Sequence, residues 1–293
     1  MTAGSRLSVR STLAWAVIGQ YVTFGVQFGA SLYLARHYIG PDQLGLFSIA
    51  FAASAFIALF QDFGLTRYLV GAPEVTPDTV RTAATIATLL GLVIGLVIAL
   101  CGWPLARAFA QADLGRLMIV LGGTACITPL ALIPAAILQR QMQFQRVAVI
   151  DICAALAGAG TSLPLAASGH GAMSLAWGGC AQALCRATLG QIMTGGSLPC
   201  PPGWHAWRHL LRFGSGVMAL NVTGQSADRA PDLIIGHILG EAATGLFSRA
   251  AGLSGQLRQL VSGAVTGVFY PAFAKARDRG DPLGPYYERV TAG

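Results

Sequence analysis

Charge is scarce in this chain. Only 11% of its 293 residues are Asp, Glu, Lys or Arg, against roughly 25% in an ordinary soluble domain, and lysine occurs once, at Lys275. Hydrophobic residues make up 54% and the mean hydropathy is +0.60, so lipid is the solvent for much of the chain. The six cysteines have no CxxC spacing and mostly sit in apolar runs, which excludes a disulfide framework and favours small reduced hydrophobes. The five histidines are scattered near loops, so no metal site is expected. There is no Walker A sequence, no GxGxxG after a strand, no HExxH and no GxSxG, and hence no support for nucleotide hydrolysis or the familiar hydrolases. The sequence reads as a non-enzyme without cofactors. Nothing alternates like a barrel strand.

What is present is long and apolar. Arg6 and Arg10 precede a run from Leu13 to Leu34 that is too long for the core of a signal peptide and has no convincing cleavage site. A span needs about 20 apolar residues, and eight segments qualify: 12–35, 44–69, 83–103, 117–138, 147–167, 172–194, 210–236 and 245–271. Turn chemistry separates them at Gly40-Pro41, Pro73 with Pro77, Pro104, the polar run 139–146, Ser168-Gly-His-Gly171 and Pro199 to Pro202. The expected fold is an all-α polytopic membrane protein with about eight transmembrane helices. The net charge of +7 follows orientation and does not indicate a nucleic-acid partner. With a cytoplasmic N-terminus, the inner loops and tails collect twelve Arg and Lys, from Arg6 to Arg289, and the outer loops collect Arg36, Arg107 and Arg116. This bias sets the orientation expected in the membrane, with the N-terminus on the cytoplasmic side.

Thirteen residues recur after 200 positions. Tyr38-Ile-Gly-Pro-Asp-Gln-Leu-Gly-Leu-Phe-Ser-Ile-Ala50 matches Ile238-Leu-Gly-Glu-Ala-Ala-Thr-Gly-Leu-Phe-Ser-Arg-Ala250, with His37 repeated at His237 and Val22-Thr23 at Val222-Thr223. The first copy joins segments one and two, the second joins seven and eight. Six spans lie between them, so both copies face one side and the bundles are parallel repeats. The expected division is a six-helix lobe over 1–200 and the start of a second lobe over 201–293, with the second lobe C-terminally truncated after two helices.

The chain resembles the polysaccharide (O-antigen or exopolysaccharide) flippases of the multidrug/oligosaccharidyl-lipid/polysaccharide exporter superfamily. The resemblance rests on Arg36-His-Tyr-Ile-Gly-Pro-Asp-Gln-Leu-Gly-Leu-Phe47, Asp62-Phe-Gly-Leu65, Ile137-Leu-Gln-Arg-Gln-Met-Gln-Phe144 and Asp232-Leu-Ile-Ile-Gly-His-Ile-Leu-Gly240, continuing through Gly245-Leu-Phe-Ser-Arg-Ala250 to Phe269-Tyr-Pro-Ala-Phe273. It implies two six-helix lobes around a cleft and transfer of undecaprenyl-pyrophosphate-linked oligosaccharide from the inner to the outer leaflet by alternating access. Against that pattern the chain is expected to lack four helices of the second lobe.

The resemblance implies that segments one, two, seven and eight line the cleft, and polar spacing supports this. Asn221, Gln225, Asp228 and Asp232 form one stripe on segment seven, as do Gln20, Thr23, Gln27 and Ser31 on segment one and Arg258, Ser262 and Thr266 on segment eight. Interhelical packing seams are the structural alternative. Arg258 lies about 21 Å along its helix at 1.5 Å per residue, where its planar fork suits a pyrophosphate. Its competing partner is Asp62, which the repeat offset equates with Ser262. The substrate candidates are thus Arg258, Arg229, Gln27, Asn221 and Gln225. The ion-coupling or ion-pair candidates are Asp228, Asp232 and Asp62, of which Asp228 and Asp232 flank a kink expected at Pro231. Arg249 is expected as an interface anchor or pair partner. Arg186 is expected to snorkel away from the cleft, and Asp151 to sit near a helix N-terminus where the dipole suits it.

The expected partners are membrane lipids, the lipid-linked oligosaccharide, and either polysaccharide assembly machinery or a chain supplying the missing helices. The rival readings are a drug/cation antiporter of the same superfamily, for which the first lobe has few acids, and a non-transporting fragment. A glycan polymerase or ligase is disfavoured by the short outer loops, the longest being 104–116.

Overall fold

The computed structural model describes residues 3–61, 64–71, 76–141, 143–195, 231–232 and 234–255. Seven helices form the first part: α1 (Ala3–His37), α2 (Pro41–Ala58), α3 (Leu65–Gly71), α4 (Pro77–Ala108), α5 (Ala112–Arg140), α6 (Phe144–Ala167) and α7 (Ala172–Met193). Residues 234–239 are helical and a further helix, α8, covers 241–255. No strand occurs among the described residues. The chain is an all-α polytopic membrane protein. By length and composition α2, α4, α5 and α6 can each cross a bilayer.

Local chemistry explains the helix starts. Pro41 and Pro77 stand at first-turn positions where a missing N–H costs nothing, and Asp42 and Asp78 follow them at the positive end of the helix dipole. Thr76 caps α4, its hydroxyl accepting from the Thr79 N–H at 3.2 Å. Two expectations are corrected. The segment 44–69 is broken: α2 stops at Ala58 and α3 begins at Leu65, beyond Gly64 with φ +66°. Pro104 does not end its helix, because α4 continues to Ala108, where Arg107 lies 3.6 Å over the Trp103 ring.

α4 shows why lipid is the solvent. Leu89, Leu92, Val93, Leu96, Leu100 and Trp103 form one stripe at helical spacing, and all are exposed. The opposite face carries Gly91, Gly95 and Gly102, which meet Pro129, Cys126 and Met118 of α5 so closely that a Cβ would overlap them. Large apolar side chains therefore face outward and small ones face protein. The five described cysteines are free thiols.

α5 carries Pro129 and Pro134 in its interior. Each proline lacks the N–H that would bond the carbonyl four residues earlier. Those two carbonyls are satisfied from other helices: Gln61 Nε2 donates to Ala125 O at 2.7 Å, and Gln191 Nε2 donates to Leu130 O at 3.1 Å. The turn after α2 and the end of α7 are thereby tied to the proline-bearing helix α5. The main buried cluster joins α2, α4, α5 and α7 through Ile49, Ile98, Leu117, Met118 and Ala176. α1 packs on α6, with Gly19 against Ala148.

Candidate functional site

The helices alternate in direction, so the turns at 38–40, 109–111, 168–171 and 240 share one end of the bundle. The turn at 141–143 lies at the other. At the first end the two copies of the repeat meet. Gly45 of α2 lies against the main chain of Glu241, and Gly245 of α8 lies against the main chain of Pro41. Under the 200-residue offset these are the same contact taken twice, 45 with 241 and 245 with 41. A Cβ on either glycine would overlap backbone, which cannot rotate aside. Nearby, Gly236 lies against Ile49, and the Phe109 and His237 rings meet edge to face at 5.8 Å.

Other repeat positions differ between the copies. Gly40 has φ −72° and no neighbour within 4 Å of a Cβ, so its place is an ordinary extended N-cap. Gly240 has φ +83°, a left-handed conformation that does favour glycine. Ile49 is fully buried, whereas its counterpart Arg249 reaches across to α1 and donates to both the hydroxyl and the carbonyl of Ser31. Arg249 is thus bonded within the protein, to α1. Glu241, the first residue of α8, has its carboxyl pushed up by burial and further by Asp42, against a hydrogen bond from Gln111.

Of the sequence-derived candidates, two are described. Asp232 is 8% exposed and accepts from the Ser248 hydroxyl at 2.5 Å. Gln27 is exposed on α1. Arg258, Arg229, Asn221, Gln225, Asp228 and Asp62 lie outside the described residues, and so does the Asp62–Arg258 pairing.

A second site was not foreseen. Toward the other end, α5, α6 and α7 with Phe51 of α2 line a half-open cavity of about 510 Å³. Asp151 and Arg186 line it as an ion pair, Oδ1 to Nε at 3.0 Å. Arg186 therefore does not reach for the interface. The dipole account of Asp151 also fails, because α6 starts at Phe144, two turns before it, and the dipole acts within the first turn. Both residues lie seven positions from that end of their helices, about 10 Å deep at 1.5 Å per residue. A lone arginine in the centre of a bilayer costs roughly 3 kcal/mol on insertion scales, and the ion pair offsets part of such a cost. The sequence signal was available in an acid on segment five and an arginine on segment six at matching depth; treating each alone hid it. A neighbouring cavity of about 400 Å³ shares Phe51, Thr124, Thr128 and Leu132 and extends to Gln61. No group of three or more His, Cys, Asp or Glu side chains that could hold a metal occurs among the described residues.

Residues 33–293 match the sequence profile of a family described as "Polysaccharide biosynthesis protein". The chain is 26% identical over 276 residues to the succinoglycan biosynthesis transport protein ExoT of Rhizobium meliloti (strain 1021), covering 92% of this chain and 54% of that protein. It is 23% identical over 273 residues to the lipopolysaccharide biosynthesis protein WzxC of Escherichia coli (strain K12), covering 92% and 55%. The chain thus spans about half the length of the curated relatives it matches. No solved structure matches it.

Proposed function

Because the chain belongs to the polysaccharide biosynthesis protein family, we propose that it carries the first lobe and part of the second of a flippase. The proposed substrate is an undecaprenyl-pyrophosphate-linked oligosaccharide, moved across the inner membrane by alternating access. The observation that carries this reading is the reciprocal contact of Gly45 and Gly245. Two related hairpins meet at one end of the bundle, while the Asp151–Arg186 cavity lies toward the other. That is the arrangement expected of a transporter closed on one side. In the proposed orientation the N-terminus is cytoplasmic, the glycine joint is the outer closure, and the lobes divide near residue 200.

Within that reading Arg258 and Arg229, with Gln27, Asn221 and Gln225, contact the pyrophosphate and sugars. Asp228, Asp232 and Asp62 are ion-coupling or pairing groups. No reaction is catalysed; the work is binding and conformational exchange. The relatives' names support transport in polysaccharide biosynthesis, and the substrate and mechanism are the proposal's own. The test uses proteoliposomes containing the chain and a fluorescent lipid-linked oligosaccharide with quencher outside. Flipping by the chain, alone or after addition of a partner polypeptide, is the expected result. Flipping no faster than in empty vesicles under both conditions would reject it.

A further inference from the structure

The polar groups lining the larger cavity are unequally committed. Thr124 and Thr128 donate their hydroxyls to main-chain carbonyls of their own helix, Val120 O at 3.0 Å and Thr124 O at 2.9 Å. Gln139 and Gln182 make no side-chain hydrogen bond to any described residue, and the contact found for the Arg186 guanidinium is the ion pair with Asp151. An arginine fork has five N–H donors in a plane that matches an oxyanion. One carboxylate contact at Nε leaves the two terminal amines uncommitted toward an open volume of about 510 Å³, a size that ordinarily holds a small ligand.

We infer that Arg186 is an oxyanion-binding residue and Asp151 its resident counter-ion, so that a phosphate or carboxylate of a lipid-linked saccharide enters the cavity by displacing Asp151 from the guanidinium. This rests on the transporter reading for the source of the anion. It adds a binding position on α6 and α7, helices that bear none of the sequence-derived candidates. Asp151 keeps the arginine tolerable in an apolar surround while the cavity is empty, because an unpaired charge there is the costlier state. An anion with two or three oxygens engages both edges of the fork, which the single Asp151 contact does not, and Gln182 and Gln139 add amide donors beside it. Displacement is an exchange of one anionic partner for another, so Arg186 stays paired throughout.

The test is calorimetric titration of the purified, detergent-solubilised chain with inorganic pyrophosphate, a short-chain prenyl pyrophosphate and a glucuronate-containing oligosaccharide. Removing the competing carboxylate with Asp151→Asn is expected to tighten binding several-fold, and Arg186→Gln to abolish it. Arg186→Lys, which keeps the charge and loses the fork, is expected to retain weak binding. Arg116→Gln, at an exposed arginine near the opposite end, is expected to change nothing. Preference for the pyrophosphates assigns the site to the lipid carrier; preference for the glucuronate assigns it to the glycan. Binding that survives Arg186→Gln, or that falls equally with Arg116→Gln, overturns the inference, as does failure of all three probes to bind. Should Arg186→Gln not fold, Asp151→Asn decides, since unchanged affinity there is equally fatal. Binding is read without transport, so its outcome is separate from that of the flipping assay.

Discussion

Arg249 of α8 bonds Ser31 of α1 through both the hydroxyl and the main-chain carbonyl. Its repeat counterpart, Ile49, is fully buried. The duplicated hairpins have diverged at this pair: one copy uses apolar burial and the other a charged clasp across the joint. Loss of two charge-assisted bonds at a half-buried arginine costs about 1.5 kcal/mol, or roughly tenfold in an equilibrium. Arg249→Gln is expected to speed maleimide labelling of a cysteine placed at buried Leu34, in a background without the native cysteines, by about that factor. An unchanged labelling rate would show that the clasp does not hold this end closed.

Glycine substitutions should separate the joint from its surroundings. Gly45→Ala and Gly245→Ala each put a Cβ into opposing main chain and are expected to abolish closure, read as disulfide formation between cysteines engineered across α2 and α8. Gly40→Ala should be silent. Gly240→Ala forces alanine to φ +83° and should cost about 1 kcal/mol, seen as lower thermal stability.

The joint should respond to pH through Glu241. Its carboxyl is raised first by burial and then by Asp42, so the closed contact holds the proton more tightly than an exposed glutamate does. The favourable contribution is fully present below the ordinary glutamate range and is lost as pH rises through the raised value. Closure measured by the same cross-link is expected to fall with rising pH over that window. Glu241→Gln should remove the dependence, and a slope that persists in the variant would assign it elsewhere.

The proline-orphaned carbonyls of α5 make a further test. Gln61→Leu leaves Ala125 O without its partner, at a cost of about 1 to 3 kcal/mol for a buried acceptor. Pro129→Ala restores the missing N–H, so in the double variant that penalty should largely disappear. A double-mutant cycle on thermal stability is expected to show coupling of about 1 kcal/mol or more; additive effects would separate the glutamine from the proline.

The apolar segments and the repeat were legible because membrane solvation and duplication both leave long-range signals in composition and spacing. Boundaries failed where one residue decides the backbone. Gly64 with φ +66° divides a run that hydropathy reads as continuous, and Pro104 is carried within α4. The Asp151–Arg186 pair was hidden for a different reason, since pairing depends on which helices are neighbours, and the α6–α7 contact is tertiary. The glutamines were invisible as partners on the same ground: Pro129 and Pro134 announce two free carbonyls, but the donors come from 64 and 61 residues away. The repeat aligns Gly45 with Gly245 in the sequence, but that they serve contact between helices is a tertiary fact.

A joint made of glycine against backbone contains no interlocked side chains at its closest points. Ridged helix surfaces must lift knobs out of holes before they part, and each such step adds to a barrier. Gly45 and Gly245 present smooth main chain to smooth main chain, so parting them requires no change of rotamer at either residue. Such a contact can be tight when shut and still quick to open, with the endpoint populations left to the few polar groups around it.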